Sequence, residues 1–186
     1  MDFDDLPKSF DGFKITHISD IHSGSLDNIE KVKYGIDLIN QQQSDVILFT
    51  GDLVNNKSNE LEKWKDIFKL MEAPLGKFSI LGNHDYGDYY DWKSKDEKIN
   101  DFKKFIDYQE NMGFKLLMNE SIYLEKNEEK IAILGSENWG RGFKKEGDLD
   151  KMISKINKDD FKILMTHDPS HWEEKVLKHK SRFQLT

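Results

Sequence analysis

KFSILGNHDYG, residues Lys77 to Gly87, starts as an apolar β-run and ends in Asn83, His84 and Asp85, three consecutive side chains able to bind a cation or move a proton. A short, continuous apolar run that stops at a glycine reads as a strand covered on both faces, the kind a parallel sheet contains. Four other runs follow the same grammar: FKITHIS at 13–19, DVILFT at 45–50, IAILG at 131–135 and FKILMT at 161–166. Helical patterns lie between them. Asp27 and Glu30 read as a capping box ahead of Ile29, Val32, Ile36 and Ile39. Asn59 and Glu62 open a second helix that carries Leu61, Trp64, Ile67, Phe68 and Met71 to Pro74. Ile99, Phe102, Ile106 and Met112 mark a third, closed by Gly113, and a fourth runs from about Asp148 through Leu149, Met152, Ile153 and Ile156.

Strand alternating with helix predicts an α/β fold, a layered sandwich of mixed β-sheets flanked by helices and partly parallel. LLMNESIYLEKNEEKIAIL, residues 116–134, has no room for a helix and reads as a local antiparallel excursion turning at Glu128 and Glu129. The 186 residues suit a single domain, 1–186. The closing SRFQLT alternates polar and apolar residues as a strand does and stops at Thr186 with no turn or cap, so the chain reads as cut within an element.

Composition excludes several classes of function. The net charge of −7, with no basic stripe, gives nucleic-acid binding little electrostatic support. The absence of cysteine removes disulfides, thiolate metal sites and a cysteine nucleophile, so any metal must sit on nitrogen and oxygen. No segment approaches the roughly 18 apolar residues of a membrane span, and the N-terminus lacks a basic, then apolar, export pattern. A soluble globule is expected.

The chemistry gathers where the strands end. SDIH, TGD, LGNHD, GSENW and THDPSH follow the five runs in turn. In open α/β sheets ligands bind beyond the carboxyl ends of the strands, where loops converge on a rigid frame. Asp20, His22, Asp52, Asn83, His84 and His167 would therefore share one rim. Each alone could be a cap, a turn residue or a structural histidine, but turns do not require so many ligand atoms. Asp20 and His22 are separated by one residue, which on an extended segment points both side chains to the same side. Gly51 and Gly82 permit backbone conformations that bring the chain close to an ion or phosphate. Carboxylate, imidazole and amide donors suit Mn²⁺, Zn²⁺ or Fe.

DIH at 20–22, GD at 51–52, GNHD at 82–85 and TH at 166–167 resemble, in this order, the blocks of the calcineurin-like metallophosphoesterases. The neighbouring SDIHSG, GSENWG and SHW are similar to a bacterial branch of that family represented by YkuE and YaeI. The resemblance implies two divalent metals and hydrolysis of a phosphomonoester, phosphodiester or pyrophosphate by metal-bound hydroxide. It makes Asp20 and His22 ligands of the first metal, Asp52 the bridge, and Asn83 and His167 ligands of the second. His84 would stand near the leaving group or the developing charge, with Asp85 as its orienting partner. It also implies a phosphoester substrate of lipid or cell-envelope origin, and a parent protein at a membrane or envelope. The family closes its site with a Gly-His-x-His block, and the chain stops at FQLT before it. A non-catalytic or partly metallated metal-binding module is therefore the alternative, and metal-free acid–base hydrolysis by Asp85 and His84 a third reading.

Other residues carry weaker signals. Arg141 in NWGRGF is either a phosphate contact or a loop charge, and Trp139 either a pocket wall or packing. His17 belongs to a sheet face or core, while His171 and His179 are expected at the surface.

Overall fold

The computed structural model describes residues 3–185. Two four-stranded sheets form the frame. In the first, β1 (Ile15–Ile18), β2 (Val46–Phe49), β3 (Lys77–Ser79) and β4 (Phe114–Leu116) lie side by side, all parallel. In the second, β5 (Glu120–Lys126) pairs antiparallel with β6 (Glu129–Gly135), and β7 (Lys162–Met165) and β8 (Gln184–Leu185) extend it in parallel. Helices α1 (Ile29–Gln41), α2 (Lys65–Phe68), α3 (Lys95–Asn111), α4 (Leu149–Ile153) and α5 (Ser170–Glu174) lie along the connections.

β2 explains the layering. Its residues are all buried, and they alternate between two cores. Val46 and Leu48 join Phe78, Ile80 and Leu117 against Ile131, Ile133, Ile163 and Met165 of the second sheet. Ile47 and Phe49 point the other way, onto Trp64, Ile67, Phe68 and Met71 in and around α2, Ile36 of α1 and Phe105 of α3. A third core lies outside the second sheet, where Ala132, Leu134 and Leu164 meet Leu149 and Met152 of α4. The order of layers is therefore helix, sheet, sheet, helix. Each fully buried aliphatic side chain contributes about 1.5–3 kcal/mol, so the doubly covered strands form a firmly packed frame that suits a site at their ends.

Local details depart from the sequence reading in four places. α1 is capped by Asn28, whose side chain accepts from Lys31 N at 3.0 Å, so the cap sits one residue after Asp27. The second helix is broken into a 3-10 turn at Ser58–Leu61 and α2, and Glu60 rather than Glu62 holds its start. Glu60 accepts from the amides of Asn55, Asn56 and Lys57 at 2.6, 3.1 and 3.0 Å, which bends the chain instead of propagating one helix. Ile99 is 50% exposed and does not belong to the buried stripe of α3. The β5–β6 turn uses Asn127 and Glu128, both left-handed with φ of 50° and 68°, one residue earlier than expected. Elsewhere α4 follows its Asp148 cap, α3 ends at left-handed Gly113, and the closing run supplies β8. Thr186, at which the chain reads as cut, lies outside the described residues. Among the described residues no helix is long and apolar enough to cross a membrane.

Candidate metal centre

β1 and β2 keep pairing beyond their formal ends: Asp20 N donates to Gly51 O at 3.0 Å, His22 N to Asp52 O at 3.0 Å and Ser23 N to Leu53 O at 2.9 Å. Asp20, His22 and Asp52 have φ of 55°, 47° and 58°. Left-handed backbone is disfavoured for residues with a Cβ and persists only where surrounding bonds enforce it, commonly at functional sites. Asp20 and His22 thus converge through two backbone kinks, not through the alternation of an extended segment. Gly51, at φ 98°, lets the neighbouring strand end approach: a Cβ there would strike the backbone of Gly82, and a Cβ on Gly82 would strike the Asp52 carboxylate.

Asp52 is the hub. It is 3% exposed; its Oδ2 lies 3.5 Å from His22 Nε2 and 3.4 Å from His167 Nε2, and its Oδ1 accepts from His84 N at 2.9 Å. Asn83 Oδ1 lies 3.2 Å from His167 Nε2, and Asp20 Oδ1 lies 3.9 Å from His22 Nε2. Asp20, Asp52 and His167 each offer a donor atom within 4.8 Å of the others, and so do His22, Asp52 and His84. His84 therefore stands at the edge of the ligand cluster, beside His22 and Asp52.

The histidine tautomers follow from their backbone partners. His167 Nδ1 contacts Thr50 O at 2.8 Å, and His84 Nδ1 contacts Asn55 O at 2.7 Å. A carbonyl only accepts, so each Nδ1 carries a hydrogen and each neutral ring presents its lone pair at Nε2. Burial opposes a second proton on the His167 ring, but the hydrogen bond and charge of Asp52 raise its pKa to about 9. Burial likewise opposes ionisation of Asp52, yet His167 holds that carboxyl below the usual range. Without an ion the pair is held by a proton; a divalent cation would displace it and meet carboxylate oxygen, an amide oxygen and imidazole nitrogen, a fitting donor set.

Asp85, expected to orient His84, does something else. Its Oδ2 accepts from the amides of Asp52 and Gly82 at 2.8 and 2.9 Å, and its Oδ1 from those of Leu53 and Val54 at 2.9 and 3.3 Å. His84 is oriented by the Asn55 carbonyl instead. Burial pushes the Asp85 carboxyl up to about 7, with the amides pulling the other way. Because all four partners are donors, only the ionised carboxylate satisfies them without opposing hydrogens. Asp85 is the clasp that joins the β2 and β3 ends.

Arg141 is exposed and pairs with α5, its Nε 2.7 Å from Glu174 Oε1. His17 is exposed, with Nε2 2.8 Å from Thr50 Oγ1. His171 is fully buried rather than at the surface: it stacks on Trp139 and its Nδ1 meets Thr166 Oγ1 at 2.8 Å. Trp139 is therefore packing. His179 lies beside Asp150. The sequence reading missed the Thr50 and Asn55 carbonyls, which no residue type announces, and Tyr89, whose hydroxyl accepts from Asn83 Nδ2 at 2.9 Å.

YkuE of Bacillus subtilis, an uncharacterized metallophosphoesterase, is 40% identical over 86 residues, covering 45% of this chain and 30% of that protein. UDP-2,3-diacylglucosamine pyrophosphatase LpxG of Chlamydia trachomatis is 38% identical over 88 residues, covering 45% and 27%. The solved phosphopantetheinyl hydrolase PptH of Mycobacterium tuberculosis has the same fold, with a TM-score of 0.53 at 12% identity over 86% of this chain and 70% of that one. The chain spans 30% to 58% of the length of four curated relatives that it matches. The family model for calcineurin-like phosphoesterase matches residues 13–185, so the chain belongs to the calcineurin-like, metal-dependent phosphoesterases.

Proposed function

We propose that this chain carries a dinuclear centre that hydrolyses a phosphomonoester, phosphodiester or pyrophosphate bond. Asp20, His22 and Asp52 would hold one divalent ion, and Asp52, Asn83 and His167 the other; Mn²⁺, Zn²⁺ and Fe each suit these donors. The observation that carries the reading is Asp52, one buried carboxylate whose Oδ2 lies 3.5 Å from His22 Nε2 and 3.4 Å from His167 Nε2, between the donors proposed for each ion, as a bridging ligand must be. When bound, such a pair of ions supplies Lewis acidity, polarising a phosphoryl oxygen and making water acidic at neutral pH.

The chain's own residues do the remaining work. Asp52 stays ionised, and His167 gives up its Nε2 proton as the cation enters. His84, with Nδ1–H tied to Asn55 O, aims Nε2 at the site; as the imidazolium, with a second proton on Nε2, it would donate that proton or a hydrogen bond to charge developing on the substrate. Asp85 keeps the two strand ends in contact and touches no reacting atom. The core shared by both sheets supports reading residues 1–186 as one domain. The likeness to LpxG supports a substrate drawn from lipid or cell-envelope chemistry.

Calorimetric titration with Mn²⁺ tests the reading. The chain should take up two ions, and Asp52→Asn should weaken both, with hydrolysis of p-nitrophenyl phosphate or its diester abolished by EDTA. Uptake of one ion without turnover would favour a metal-binding module, and turnover that survives EDTA would favour metal-free acid–base chemistry.

A further inference from the structure

An asparagine amide has two ends, and only one can bind a cation. Asn83 must present Oδ1, because its NH₂ group has no lone pair to donate to an ion. The fold selects the correct end through a neighbouring loop. Asn83 Nδ2 donates to Tyr89 Oη at 2.9 Å, which turns Oδ1 toward His167 Nε2, 3.2 Å away. The same tyrosine ring packs against His84, with centroids 4.6 Å apart and planes at 45°. His84 in turn meets His22 edge-on at 4.9 Å. Tyr89 thus touches one candidate ligand and the histidine beside the substrate position.

The loop that carries Tyr89 is pinned on both sides. Before it, Asp88 pairs with Lys98 of α3 and with Lys144, the latter at 3.2 Å. After it, Trp92 Nε1 donates back to Gly87 O at 2.7 Å. Tyr89 itself is 50% exposed, so its position owes little to burial and its loss should leave the cores intact.

We propose that Tyr89 is a positioning residue: its hydroxyl locks the Asn83 amide with the oxygen facing the cation pocket, and its ring buttresses His84. The proposal rests on the ligand reading above. A group that orients a ligand typically changes metal affinity about 10- to 100-fold when removed. Tyr89→Phe removes only the hydroxyl, whereas Tyr89→Leu removes hydroxyl and ring.

The test is Mn²⁺ titration of the chain and both variants by calorimetry, with thermal melting of the metal-free proteins and turnover of p-nitrophenyl phosphate at saturating Mn²⁺. Tyr89→Phe should weaken one of the two Mn²⁺ sites about tenfold, leaving the other site and the melting temperature unchanged. At saturating Mn²⁺ its kcat should recover, while Tyr89→Leu, with His84 unsupported, should stay slow. Two unchanged affinities in Tyr89→Phe would overturn the role of the hydroxyl, and full kcat in Tyr89→Leu the role of the ring. A chain that binds fewer than two ions before any substitution would instead overturn the ligand reading itself, and the proposal with it.

Discussion

Replacing Asp85 with asparagine tests whether the site is held by a buried carboxylate clasp. The carboxylate is 3% exposed and accepts four backbone amides, two on each oxygen. Asparagine keeps one oxygen, so whichever way it turns, its NH₂ group faces two amide donors. Those two amides lose their bonds and have no water to replace them. A hydrogen bond to a charged group is worth about 1.5–3 kcal/mol, so losing two places the destabilisation between about 3 and 6 kcal/mol. In a domain of this length that lowers the melting temperature by on the order of 10 °C. Urea unfolding followed by tryptophan fluorescence and by far-ultraviolet circular dichroism, on the metal-free protein at about pH 7.5, measures it. A loss under about 1 kcal/mol with an unchanged denaturant slope would refute the clasp, since no unsatisfied donor is that cheap in a buried setting. The catalytic role for Asp85 implied by family resemblance makes the contrary forecast, full stability with lost turnover.

Gly82→Ala should drive a methyl into the Asp52 carboxylate and amide, so Mn²⁺ binding is expected to fall at both sites, as read by titration, alongside a stability loss of about 1–3 kcal/mol. His84→Ala should leave two ions bound but slow hydrolysis of a substrate with a poor leaving group by roughly two to four decades; unchanged kcat would remove His84 from the chemistry. His171 gives a pH dependence: burial, helped by the charge of Lys175, lowers its pKa to about 4. Its folded value lies below that of the unfolded chain, so the unfolded state binds the proton first, and this contribution, complete above about pH 6.5, is lost as pH falls toward 4. Urea midpoints should show a loss of about 2 kcal/mol between about pH 7 and pH 5 that His171→Gln removes, and an identical loss in that variant would exclude His171 as its source.

What could be read from the residues and what could not divide along a physical line. The five apolar runs were legible because strands covered on both faces need apolar side chains at every position, and β2 fills two cores with four consecutive residues. The ligand types were legible for a related reason. Turns at strand ends do not require so many carboxylate, imidazole and amide groups, so Asp20, Asp52, Asn83 and His167 directly after apolar runs already point to a shared ion. Backbone geometry was not legible. Nothing in Asp20, His22 or Asp52 as residue types announces a left-handed φ, because the conformation is imposed by the ladder bonds to Gly51, Asp52 and Leu53. The partners of His84 and His167 are main-chain carbonyls, which every residue has. The orienting role that the family resemblance implies for Asp85 differs from its place in the fold, where it binds main-chain amides and the Asn55 carbonyl orients His84. The 3-10 turn that carries His84, Asp85 and Tyr86 sends consecutive side chains in different directions, Asp85 inward to the amides and His84 toward the ligand atoms. Tyr89 lies in the loop after that turn, where no periodicity constrains a side chain, and only the three-dimensional path of the loop returns it to Asn83. The residues that would hold the ions were therefore visible as chemistry, whereas those that orient them act through the main chain or through loop geometry and became visible only in the fold.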